Sequence, residues 1–236
     1  MPLDNRKISI LFTIIDEHIR TAEPVASQAV LDSGAIDAGA ATIRNEMYVL
    51  EEEGYLTQPH ASAGRVPTES AYRLYIETIQ RAQRVRLEDV AAAVRMALAT
   101  EVDARAFGKT IAQLLAPQAT QAIVVGFGRG ETYTTGLSYL VVQPEFQEPK
   151  IMQPFSEAMD RLDETLEALN SLLNGSPRAI IGSENPFGEQ CGTVASHLAL
   201  PAGHTITLGI VGPMRMAYNH NFGLIETVKE AARSDL

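Results

Sequence analysis

The sequence predicts an α+β protein in which helices come first and an antiparallel sheet follows. Three observations carry this. Apolar residues recur at helical spacing from Ile8 to Leu115, and from Thr120 they give way to short apolar or alternating runs bounded by Gly, Pro and Asn. The third is length, since 236 residues suffice for two domains of roughly 80 to 150 residues each.

Taken in order, Ile8, Leu11, Phe12, Ile15 and Ile19 form one stripe of a first helix. "TAEPVASQAVLDSG" predicts a turn and a second helix, with Pro24 in its first turn and Gly34 just past its end. A third helix is expected over residues 40–53, closed by Gly54 in a left-handed conformation. "YLT" and "RVPT" flank a small-residue loop and pair as a hairpin. Three helices followed by a hairpin make a winged helix-turn-helix. A helix capped by Thr68 then carries Tyr72, Tyr75, Ile76 and Ile79 on one face, and another, with Phe107, Ile111, Leu114 and Leu115, leads into Pro117. Beyond Thr120, "TQAIVVGF", "TTGLSYLVV", "RAIIGS", "TVASHLAL" and "TITLGIVG" read as strands. Between the second and third, "PFSEAMDRLDETLEALNSLLNG" reads as one helix, and "NFGLIETVKEAAR" as the last. The sheet is expected to be covered on one side.

Composition excludes several classes. A net charge of −10 rules out general polyanion binding, so any DNA contact must be local. The single cysteine, Cys191, permits neither an internal disulfide nor a thiolate zinc site, and a reducing cytoplasm is the expected location. The N-terminus carries charges on both sides of a short apolar run and lacks a small-residue cleavage site, which argues against a signal peptide. No stretch approaches the roughly 20 apolar residues of a membrane span.

The third helix and the loop after it carry the chemistry. Stepping about 100° per residue puts Ile43, Met47 and Leu50 on a buried stripe. Ala41, Asn45 and Tyr48 lie on the opposite side, with Thr42 and Arg44 at its flanks. Small residues at the N-terminus permit close approach to a major groove, and Arg and Asn suit bidentate contacts with guanine and adenine. The loop "QPHASAGRVPT" offers Ser62 and Arg65 to phosphates, with His60 beside them. Glu51, Glu52 and Glu53 read as a solvated helix end facing away from the groove.

"EPVASQAV", "ATIRNEMYVLEEEGYLTQPHASAGRVPT" and "YRLYI" resemble the N-terminal domain of the heat-inducible transcription repressor HrcA family. "GLSYLVVQPEF", "IIGSENP" and "TLGIVGPMRMAY" are similar to segments of that family's GAF-like domain. The resemblance implies a winged helix-turn-helix domain over 1–80, a helical connector over 81–118 and a GAF-like α/β regulatory and dimerisation domain over 119–236. It implies a repressor of chaperone genes that binds an inverted-repeat operator in double-stranded DNA as a homodimer and is lost on heat stress, with a GroEL-type chaperonin assisting its fold. DNA binding carries over to Thr42, Arg44, Asn45, His60, Ser62, Gly64 and Arg65, beside Tyr48 from the helical face. Family members are typically longer, with a dimerisation segment inserted in the GAF-like domain. Here "AIVVGFGRGETYTTGLSYL" passes between strands through a short loop, so a dimer is expected through the connector helices or the GAF-like domain instead.

Other constellations reduce to structure. "GFGRG" fits neither a dinucleotide fingerprint nor a P-loop and reads as a hairpin turn. Ser196 and His197 are strand neighbours on opposite faces and cannot form a nucleophile and base pair. Cys191, His197 and His204 lack metal spacing, and Cys191 reads as a buried apolar residue. Arg215 reads as a tie between segments, and Arg81, Arg84 and Arg86 as a solvated face rather than phosphate ligands. No enzyme, cofactor or metal is expected. Two further readings remain: a regulator whose GAF-like domain binds a metabolite, and an interaction module whose winged helix contacts protein.

Overall fold

The structure, a computed structural model, describes residues 3–80, 87–101, 103–128 and 130–233. The chain divides into two compact units, Met1–Arg81 and Ala82–Leu236.

In the first unit, α1 (Asn5–Thr21) begins at Asp4, whose carboxylate accepts the Lys7 N–H at 2.9 Å. Its buried stripe is Ile10, Leu11, Ile14, Ile15 and His18, one step round from the expected one, with Ile8, Phe12 and Ile19 half-buried at its edge. α2 (Ser27–Asp32) starts later than expected, and Pro24 lies outside its first turn. The reason is a pairing distant in sequence. The Val25 N–H donates to the Arg65 carbonyl and the Arg65 N–H to the Val25 carbonyl, each at 2.8 Å, which holds Val25 extended. α3 (Ala40–Glu52) buries Ile43, Met47 and Leu50, and Gly54 follows at φ +80°. β1 (Leu56–Thr57) and β2 (Val66–Pro67) pair antiparallel.

α4 (Glu69–Gln80) starts at Thr68, whose hydroxyl donates to the Gly54 carbonyl at 2.7 Å and so fastens this start to the end of α3. Tyr72 hydrogen-bonds His18 Nδ1 at 2.8 Å, and Tyr75 donates to Asp16 at 2.7 Å. These buried phenols lock α4 onto α1. Burial, helped by Asp16, raises the pKa of Tyr75, so it remains a donor at physiological pH.

The second unit opens with α5 (Glu88–Thr100) and α6 (Ala104–Ala119), which runs through Pro117 rather than stopping before it. Within the span 81–118, expected as a separate connector, α5 and α6 both belong to this unit, α5 against the last helix and α6 against the sheet. Arg81, Arg84 and Arg86 lie outside the described residues. β3 (Ala122–Gly128) and β4 (Glu131–Thr135) form a hairpin in which Gly128 pairs with Glu131. The first three residues of "GFGRG" end β3, and Gly128 and Gly130 both have positive φ, while Arg129 lies outside the described residues. The run "TTGLSYLVV" is not one strand. It leaves the sheet at Gly136 (φ +79°), where a Cβ would overlap the Gln121 carbonyl oxygen, and continues as α7 (Leu137–Val141).

The long helix read between the second and third strands is two, α8 (Pro149–Asp160) and α9 (Leu162–Leu172), broken at Arg161. The Thr165 hydroxyl bridges the break by donating to the Ala158 carbonyl at 2.8 Å. β5 (Arg178–Ile181), β6 (Cys191–Ala199), β7 (Thr205–Pro213) and α10 (Tyr218–Arg233) complete the unit. The sheet is antiparallel in the order β4-β3-β7-β6-β5.

Both faces of the sheet are covered, which corrects the expectation of one. Leu140, Phe155, Leu166 and Leu169 from α7, α8 and α9 pack with Val124 and Ala195 on one face. The neighbouring strand residues meet the other helices: Gly108 of α6 lies against Val125 and Phe127, and Lys229 of α10 reaches Ser196. Two-sided burial explains why "AIVV" and "ITLGIV" read as continuous apolar runs.

Cys191 is 1% exposed among these residues, and burial pushes its pKa up to about 12. Its thiol is therefore expected to resist iodoacetamide in the folded protein at pH 8 and to react on unfolding. Rapid labelling of the native protein would show that β6 is open to solvent.

Candidate nucleic-acid interface

α3 stands on its buried stripe, so its other side is held outward. Ala41, Arg44 and Asn45 are exposed, Thr42 is half-buried, and Tyr48 is 58% exposed, which is unusual for so large an aromatic residue. An aromatic ring, an amide and a guanidinium thus share the exposed surface of the helix.

The loop between β1 and β2 is braced from within. Gln58 Nε2 donates to the carbonyls of Ala61 (3.2 Å) and Ala63 (2.9 Å), and the Ala63 N–H donates to His60. His60 Nδ1 and the Ser62 hydroxyl lie 3.2 Å apart at the exposed tip. Gly64 has no room for a side chain, since a Cβ would overlap the Val25 carbonyl and lie 2.7 Å from the Pro24 carbonyl oxygen. Arg65 is 17% exposed, and its guanidinium meets the Glu51 carboxylate at 2.8 Å.

Glu51 is therefore not part of a solvated end, unlike the exposed Glu52 and Glu53. The returning limb of the loop passes the C-terminal half of α3 and brings Arg65 onto it. That partner also offsets the cost of a carboxylate at the negative end of a helix. Between the start of α2, α3 and the loop lies a recess of about 280 Å³ lined by Ser27, Arg44, Met47, Ser62 and Arg65, among others.

The structure thus brings Thr42, Arg44, Asn45, Tyr48, His60 and Ser62 to the outer side of one helix and one loop, and it gives Gly64 and Arg65 packing and ion-pair partners. Sequence reasoning missed Glu51, Gln58 and Ser27. Hairpin register, which returns Arg65 toward the end of α3, is the signal that could have found Glu51.

The second unit's candidates are occupied with structure. Lys229 Nζ donates to the Gly175 carbonyl and, at 3.0 Å, to Ser196 Oγ. Burial, then Arg233, lowers the Lys229 pKa, and burial, then Lys229, lowers that of His197. Ser196 is fully buried and His197 half-buried on the other side of the strand, so the pair has no catalytic geometry. Arg215 forks onto Glu145, with Nη2 to Oε2 at 3.0 Å, and also donates to Gln143 at 2.6 Å, tying the β7–α10 connection to the segment before α8. Asn185 of "IIGSENP" donates to the Ile180 carbonyl and accepts the Phe187 N–H. Among the described residues, no group of three or more His, Cys, Asp or Glu could hold a metal ion, and no helix is long and apolar enough to cross a membrane.

Comparison with known proteins places these observations. The sequence profile "HrcA protein C terminal domain" matches residues 70–221. The heat-inducible transcription repressor HrcA of Acetivibrio thermocellus is 45% identical over 103 residues, which are 44% of this chain and 29% of that protein. Its counterpart in Thermoanaerobacter sp. (strain X514) is 52% identical over 81 residues, 34% of this chain and 24% of that protein. The aligned segments therefore span under a third of these relatives. A crystal structure described only as that of a hypothetical protein superposes with a TM-score of 0.76, over 98% of this chain and 97% of that one, at 17% identity. It shows the same fold.

Proposed function

Since this chain belongs to the HrcA family, we propose that it is a cytoplasmic transcriptional repressor of heat-shock genes that binds an inverted-repeat operator in double-stranded DNA as a homodimer. The observation that supports a DNA-reading role is the outward presentation of Arg44, Asn45 and Tyr48 on a helix anchored by Ile43, Met47 and Leu50, beside a braced loop.

In this reading the N-terminal half of α3 enters the major groove. Arg44 and Asn45 make the base contacts their planar donors suit, Thr42 and Tyr48 flank them, and His60 and Ser62 meet the backbone. Gly64 and Arg65 shape the loop that presents these groups. A two-fold dimer matches the two halves of a palindromic site, and the overall charge of −10 keeps the protein off DNA elsewhere. The dimer forms through the second unit, and a monomer at micromolar concentration would contradict this part.

Fluorescence anisotropy with an operator duplex and a scrambled duplex tests the reading. The operator is expected to bind at least about 1000-fold tighter, and Arg44→Ala or Asn45→Ala to lose about 1–3 kcal/mol of that discrimination each. Equal, weak binding of both duplexes by the unmodified protein would rule the repressor reading out. A GroEL-type chaperonin is expected to raise the operator-binding fraction without changing the sequence bound. No increase with the purified pair would remove the chaperonin from the scheme.

A further inference from the structure

Glu51 has no part in reading DNA as described, yet it holds a cation of the DNA-binding loop. The Glu51–Arg65 pair is 2.8 Å long, with the two side chains 26% and 17% exposed. The Arg65 backbone is fixed as well, bonded in both directions to Val25. Its Nε is buried with no hydrogen-bond partner among the described residues, and its Nη2 is the atom that meets Glu51. The same guanidinium lines the recess shared with Arg44, Ser27 and Ser62, on the side where a DNA backbone would run past α3 and the loop.

Resting on the DNA-binding reading, we propose that Glu51 limits the sequence-independent part of DNA binding at this interface. By keeping Arg65 in an intramolecular ion pair, it withdraws a cation that would otherwise neutralise a phosphate of any sequence. Phosphate contacts add affinity without sequence information, so suppressing one lowers the affinity for every duplex alike and flattens the salt dependence. In a chain that is acidic overall, one free arginine beside the reading helix changes both measurably. Arg65 then acts as scaffold, keeping the loop on α3, and Glu51 selects that role for it.

The test is operator and scrambled-duplex binding across a salt series for Glu51→Gln, Arg65→Gln and the double variant. Glu51→Gln frees Arg65, so the slope of log K against log salt is expected to steepen by about 0.9, the value for one added phosphate. Operator and scrambled duplex are both expected to bind several-fold tighter at low salt, with their ratio unchanged, because a phosphate contact is indifferent to sequence. Arg65→Gln alone is expected to keep the slope of the unmodified protein, since no cation is freed, and adding Glu51→Gln to it is expected to change neither slope nor affinity further. If Glu51→Gln fails to fold, Arg65→Gln still decides, because a loss of slope of about 0.9 would mean that Arg65 already contacts a phosphate. An unchanged slope in Glu51→Gln overturns the proposal, and so does a gain confined to one of the two duplexes. So does an equal loss of both duplexes, which marks a fold brace only, or a Glu51→Gln effect that persists without Arg65. Failure of the unmodified protein to discriminate the duplexes is a separate result, which removes the DNA reading and this inference with it.

Discussion

Gly64→Ala is expected to destabilise the N-terminal unit by about 3 kcal/mol, lowering its unfolding midpoint by on the order of 15 °C, and to abolish operator binding at the temperature where the unmodified protein binds. The obstacle is backbone, not side chain: the added methyl meets the Val25 carbonyl and the Pro24 carbonyl oxygen. Neither can retreat, because Val25 is hydrogen-bonded both ways to Arg65, the next residue after Gly64. Separating the segments breaks those two bonds and moves Arg65 from Glu51, so the loop loses its seat on α3. The sign makes the prediction sharp. If conformational freedom were all that mattered, alanine would stabilise by about 0.4–1 kcal/mol through the unfolded state. Thermal unfolding followed by circular dichroism decides, and a midpoint equal to or above that of the unmodified protein would show that the loop does not lie on Val25. Gly54 is a useful contrast, since a Cβ there meets open space and only its φ of +80° resists substitution.

What the sequence disclosed and what it concealed divide by distance along the chain. The span of α3, its inward stripe and its terminator at Gly54 follow from spacing and one left-handed glycine. The Thr68 cap and the β1–β2 pair are equally local. The side chains on the outer surface of α3 were legible for the same reason, because a helix whose core side is known has its other side fixed.

Long-range contacts were not legible. Pro24 looks like a helix start until Val25 is seen paired with Arg65, and Glu51 looks solvated until the hairpin returns a guanidinium to it. "GLSYLVV" has the composition of a strand, and only the close approach of Gly136 to the Gln121 carbonyl makes the chain turn out of the sheet. The second covered face was readable but passed over, since strands with no polar alternation must be buried on both sides.

In the second unit the largest polar lesion is expected from Arg215→Ala. Arg215 is 10% exposed and meets both oxygens of Glu145, which is 24% exposed, while also holding Gln143. Removing one partner of a fully buried pair costs about 3–5 kcal/mol, because the other charge is stranded. Water reaches Glu145 here, which lowers the expected loss to about 2 kcal/mol. Lysine should recover little, as a point charge cannot reproduce the fork onto two carboxylate oxygens.

Cys191 provides the readout, being buried in this unit with its pKa raised by desolvation. Where opening is fast relative to labelling, a loss of about 2 kcal/mol raises the labelling rate roughly 30-fold. Operator binding by the protein that remains folded should keep the same salt slope, because Arg215 touches no DNA in this reading. An unchanged labelling rate would show that the fork carries no stability. A changed salt slope would instead make Arg215 part of how the protein meets DNA.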